Sequence, residues 1–172
     1  MSRASLSAFT LASSSAPLAE ADLAEPSGRG FIALLEAFRA TGGTAPGEIV
    51  ARLLGEHQTG TAVNLAKLID TGQVFGFEWR SSLWIPMFQF NADDLALHAG
   101  AQHVRAVLPQ LWTDWAMAAW FAAANAHLEG QRPVDRLDWD LDAVLQAAGA
   151  PATVDEFVPY HLRRADGFGL HV

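Results

Sequence analysis

The chain has 172 residues, 51% hydrophobic and 17% charged, with 11 basic against 19 acidic side chains for a formal charge of −8, and no cysteine. That length accommodates one domain or two small ones with a buried core. The negative balance disfavours nonspecific binding to nucleic acid or anionic lipid, and the absence of cysteine removes disulfides, thiol nucleophiles and cysteine-ligated zinc, in keeping with the cytoplasm. The longest unbroken apolar run, Trp115 to Ala124, is half of the roughly 20 residues that a membrane-spanning helix needs.

The charge is uneven. Residues 92–172 hold five arginines against eleven acids and so carry −6 of the total, which suits a basic protein partner better than a polyanion. Residues 1–29 are rich in serine and alanine. Their apolar part, Leu6 to Ala12, is diluted by Ser7 and Thr10 and is too weak for an export signal, so a disordered leader is expected.

Four segments follow up to residue 91. Phe31, Leu34, Leu35 and Phe38 recur at helical spacing and predict a first helix, closed by Gly42 and Gly43. Thr44 stands as an N-cap with Pro46 in the first turn of a second helix bearing Ile49, Val50, Leu53 and Leu54. Thr61 can cap a third helix, with Ala62, Leu65, Leu68 and Ile69 inward and Gly72 at its end. From Val74 the period changes from 3.6 to 2: Phe75, Phe77 and Trp79, a polar turn Arg80 to Ser82, then Trp84, Pro86, Phe88 and Phe90 predict a β-hairpin with one aromatic face. Pro86 cannot donate a ladder hydrogen bond, so its strand is expected at a sheet edge. Short helices followed by a hairpin outline a winged helix-turn-helix-like module over residues 30–91.

Residues 92–152 predict a helical bundle. Val104, Val107, Leu108 and Leu111 trace a helix that Pro109 should break or kink. Thr113 caps the wholly apolar run from Trp115, the expected central core helix, since a helix without a polar face must be surrounded. Asn125 to Gln131 reads as a loop, Pro133 as the start of a short turn, and Asp140 as the cap of a helix Leu141 to Ala148. The fold class is mainly α with one β-hairpin.

The common enzyme signatures are absent, and no catalytic residue, metal site or cofactor is expected. Asp138, Asp140 and Asp142 imitate a calcium loop, but Ala143 and Gly149 replace the required glycine and glutamate. The six histidines never form a helical i, i+4 pair, and His98 beside Asp93 and Asp94 lacks a marked nucleophile. The hairpin aromatics are expected to pack in the core rather than stack on RNA, because Glu78 sits among them. For DNA the third helix offers Asn64 and Lys67, with Arg52 nearby and Arg80 at the wing tip; four acids within the module oppose them.

The stretch from Trp120 through Asn125, Leu128, Gly130, Arg132, Pro133 and Asp135 to Leu137, followed by a helix with Val144, resembles the C-terminal toxin-binding domain of the Xre/MbcA/ParS antitoxins. There a tryptophan helix leads through Asn and Leu-x-Gly to a Pro-hydrophobic-Asp segment. Trp84-Ile-Pro86-Met-Phe88-Gln89-Phe90 resembles the hairpin ending the preceding module in relatives of these antitoxins. The resemblance spans about residues 44–148. It implies an antitoxin of a type II toxin-antitoxin system that binds a RES-domain toxin, an enzyme that attacks NAD or uses it to modify proteins, and covers its active-site entrance. It further implies no enzymatic activity of its own, and a homodimer or a hetero-oligomer with the toxin; the alternative, resting on the winged module and its cations, is a transcription regulator that reads operator DNA and has an acidic C-terminal protein-interaction domain. Carried over, Trp120, Leu128, Pro133 and Leu137 shape the toxin-binding domain, while Asn125, Gly130, Arg132 and Asp135 lie on its connecting loop. The tail 153–172 does not match the family; with Arg163 and Arg164 among its aromatics, it is expected to order against the partner.

Overall fold

The computed structural model describes residues 26–57 and 64–150. It is mainly helical with a small three-stranded antiparallel sheet. Helix α1 (Gly28–Phe38) is followed by a 3-10 turn (Arg39–Thr41), strand β1 (Thr44–Pro46), α2 (Gly47–His57), α3 (Leu65–Asp70), β2 (Phe77–Trp79), β3 (Ser82–Pro86) and a second 3-10 turn (Met87–Gln89). Then come α4 (Ala99–Val107), α5 (Asp114–Ala122), a third 3-10 turn (Ala126–Leu128), α6 (Pro133–Arg136) and α7 (Leu141–Gly149). Among the described residues, no helix is long and apolar enough to cross a membrane.

Helix α1 begins earlier than its apolar stripe, because the Ser27 hydroxyl accepts the Gly30 amide at 3.0 Å; residues 27–29 thus belong to the helix and not to the leader. It buries Leu34 and Phe38 as expected. The chain then reverses through Gly42 and Gly43, at φ +92° and +77°, a left-handed pair that side-chain-bearing residues resist. This reversal makes the first departure from expectation. Thr44 to Pro46 is not a helix start but a strand, paired to β3 with Thr44 opposite Pro86 and Pro46 opposite Trp84.

The sheet order is β1-β3-β2, so Pro86 lies on the central strand rather than an edge. It is tolerated as the last residue of β3, where the ladder is passed on by the Met87 amide, which donates to Gly43 at 2.9 Å. The hairpin is also shorter than its alternation. Its turn is the two residues Arg80 and Ser81, at φ +49° and +61°, which places Ser82 in the strand, while Phe88 and Phe90 fall beyond it. Its aromatic face packs inward: Phe31 of α1 stacks on Trp79 at 5.3 Å and meets Trp84 edge-on at 5.0 Å.

Asn64, whose Oδ1 accepts the Ala66 amide at 2.8 Å, caps α3 in place of Thr61, which with Ala62 lies outside the described residues. Helix α4 ends at Val107 with Leu108 extended at ψ 149°, the conformation imposed on a residue before proline, so Leu111 lies outside the helix and is exposed. Thr113 caps α5 through the Ala116 amide at 3.1 Å, and α5 buries Trp115, Trp120, Phe121 and four smaller residues, as expected of a central helix. Asp140 occupies the N-cap position of α7 without capping it; its carboxylate accepts from Arg136 instead, at 3.2 Å.

Among the described residues the buried hydrophobics form two clusters. One lies between α2, α3 and β3 and includes Val50, Leu54, Leu68 and Ile85. The larger runs from Leu34 and Phe38 through Phe75, Phe77 and Phe88 to Phe121, Leu128, Leu137 and Val144, crossing the boundary at residue 91 without interruption. Gln89, 3% exposed, is a buried polar side chain in this interior. Its Oε1 accepts the Phe75 amide at 2.9 Å, while its Nε2 donates to the carbonyls of Phe75 at 2.9 Å and Pro86 at 3.0 Å. The side chain thus stands in for a missing stretch of ladder. Gln89→Leu is expected to leave three backbone groups without a partner and to lower stability by about 3 kcal/mol, read as a shifted urea midpoint at unchanged slope.

Candidate functional site

The segment between α5 and α7 is built by local hydrogen bonds. After α5 the chain closes a tight loop in which the Asn125 amide donates to the Gln131 carbonyl at 3.0 Å, while the Leu128 and Gly130 amides return to the Asn125 carbonyl at 3.0 and 2.9 Å. The Asn125 side chain accepts the His127 amide at 2.9 Å, capping the 3-10 turn. Glu129 and Gly130 are both left-handed, at φ +58° and +78°. A Cβ on Gly130 would meet nothing within 4 Å, so the glycine is there for its conformation and not for space.

Arg132 ties this loop to the rest of the molecule. Its Nε and Nη2 grip Asp135 in a two-pronged pair at 2.6 and 2.7 Å, while Nη1 donates to the Ala37 carbonyl, 95 residues away on α1, at 2.5 Å. Pro133 starts α6 at the position where its missing amide costs nothing. Arg136 is 7% exposed, and its guanidinium reaches Gln131 at 2.7 Å and Asp140 at 3.2 Å, with Glu129 at 3.9 Å.

Of the residues carried over from the resemblance, Trp120, Leu128 and Pro133 are buried and shape the interior. Asn125, Gly130 and Arg132 share one surface loop and Asp135 follows in the first turn of α6; Asn125, Arg132 and Asp135 have partners within the chain. Arg163 and Arg164 lie outside the described residues. The DNA candidates sit on three elements: Arg52 exposed on α2, Lys67 exposed on α3 with Asn64 engaged as its cap, and Arg80 in the hairpin turn, its guanidinium 5.5 Å from the Trp79 ring.

Two features had no reading in the sequence. Trp139 alone of the six tryptophans is exposed, at 64%; its flanking acids, in Asp138-Trp139-Asp140, are the one signal that set it apart. The other is an open cavity of about 500 Å3 between the end of α1 and α6, lined by Thr41, Phe88, Phe90, Asp94, His98 and Leu137 among others. His98 is committed on both sides: Nδ1 accepts the Ala101 amide at 3.1 Å, capping α4, which leaves Nε2 to donate to Asp138 at 2.8 Å. Asp94 is likewise engaged, accepting the Ala96 amide at 2.9 Å.

No protein-family profile, curated protein or solved structure matches the chain. The geometry therefore stands by itself: a short, internally bonded loop, clamped to α1 by one guanidinium. Lysine at position 132 keeps the charge but not the fork. Arg132→Lys is expected to cost about 1 kcal/mol of stability, small because the pair is part-exposed, and to speed hydrogen exchange selectively at the amides of Asn125, Gly130 and Gln131.

Proposed function

We propose that this chain is an antitoxin that binds a RES-domain toxin and neutralises it by covering its active site. The observation that carries this reading is the loop from Asn125 to Arg132, whose backbone is held by its own hydrogen bonds and whose position is set by the Arg132 clamp to Asp135 of α6 and to α1. A surface so preorganised gives up little conformational entropy on docking, which is what a tight inhibitor requires. The residues that resemble the Xre/MbcA/ParS pattern supply this loop and its supports, and the acidic character of residues 92–172 favours a basic partner. The proposed role is inhibition by occupation, with no chemistry assigned to the chain, and the complex is a hetero-oligomer.

The test is co-expression. A RES-type product encoded beside this gene is expected to arrest growth alone, to be harmless with this chain present, and to copurify with it; a neighbour that is harmless by itself, or that kills regardless, overturns the proposal.

A second reading, a winged helix-turn-helix transcription regulator, is favoured by one observation: the elements run helix, strand, helix, helix, strand, strand with sheet order β1-β3-β2, the order of a winged helix. Lys67 and Arg80 are the cations it would use, against the exposed acids Glu48 and Glu56 on α2, Asp70 on α3 and Glu78 on β2. Under this reading Lys67→Ala with Arg80→Ala weakens binding to the gene's own operator and flattens its salt dependence in gel-shift assays; no shift with the unaltered chain removes it.

A further inference from the structure

We infer that Trp139 is the anchor by which this chain docks its protein partner, inserting its indole into an apolar pocket rimmed by lysine or arginine. The inference rests on the antitoxin reading and adds to it a contact residue and the chemistry of the surface it meets. Trp139 is the exposed exception in a chain whose other five tryptophans are buried or half-buried. An exposed indole is ordinarily free to turn, and this one is held. Its Nε1 donates to the Asp135 carbonyl at 2.9 Å, and the Arg136 guanidinium covers its ring at 4.8 Å. Arg136 is itself fixed by Gln131 and Asp140. The ring therefore belongs to the same bonded unit as the loop after α5. A rotamer locked before binding, on a large aromatic side chain that is still 64% exposed, has the properties of an interface hot spot.

Charge selects the occupant. Residues 129–142 contain five acids against Arg132 and Arg136, and both arginines are consumed by bonds within the chain. Glu129 and Asp138 are exposed at 86% and 84% of their side chains. A second copy would bring the same carboxylates against these, whereas a basic rim pairs with them.

The test measures calorimetric affinity for the purified RES-type product of the adjacent gene, using the full chain, Trp139→Ala, Trp139→Phe and Glu129→Arg. The expected result is a loss of about 100-fold for Trp139→Ala, less than about tenfold for Trp139→Phe, and about tenfold for Glu129→Arg, whose partner contact is long enough to leave the fold intact. Unchanged thermal midpoints separate lost contact from lost folding. Tight binding by the unaltered chain with Trp139→Ala within about threefold overturns the inference and leaves the antitoxin reading standing. No binding by the unaltered chain overturns both. Two further results also overturn it: sedimentation as a dimer that Trp139→Ala dissociates, which gives the face to a second copy, and acrylamide quenching of Trp139 that appears only when Arg163→Glu and Arg164→Glu are introduced, which gives it to the chain's own tail.

Discussion

A helix with no polar face can exist in water only if other elements enclose it, and α5 is such a helix. Seven of its nine residues are buried, so α1, β2 and α6 must all pack against it. Phe121 lies at the meeting point, stacked on Phe75 at 6.0 Å and tilted against Phe88 at 4.8 Å, both from the sheet half of the chain. Enclosing α5 thus forces the described residues on either side of position 91 into a shared interior. The surface loop that leaves α5 inherits that rigidity at its root.

Polar side chains complete what apolar packing leaves loose. Gln89 replaces backbone pairing between Phe75 and Pro86; Arg132 joins the loop after α5 to the C-terminal end of α1; Arg136 gathers Gln131 and Asp140 beneath Trp139. Each is a side chain with several donors or acceptors; Gln89 and Arg132 reach segments 14 and 95 residues away, while Arg136 braces its own turn through partners four and five residues off. This division of labour separates the buried side chains from the exposed ones. The tryptophan, leucine and proline of the Trp120 to Pro133 stretch are spent on the interior, and what faces solvent is a fixed backbone with acidic side chains and one indole.

Where a single element contains its own cause, the sequence was legible. The Thr113 cap, the apolar run of α5, the break at Pro109 and the inward aromatics of the hairpin are read from periods and caps spanning a few residues. The misreadings share a different origin. Thr44 has a good capping side chain and Pro46 a good first-turn residue, yet strand β1 forms there because β3, some forty residues later, supplies its hydrogen bonds. That pairing also moved Pro86 from edge to centre. Asp140 looked like a cap until Arg136 took its carboxylate, and Trp139 carried no reading because exposure is a property of the surroundings.

By itself, then, the sequence determined the helices, their apolar faces, the hairpin and the acidic bias of the second half, since propensity, capping and hydrophobic period act over one or two turns of chain. Only the tertiary structure decided the third strand, the distant partners of Gln89 and Arg132, and the exposure of Trp139. Those depend on which distant backbone groups and surfaces arrive next to one another once α5 has been enclosed.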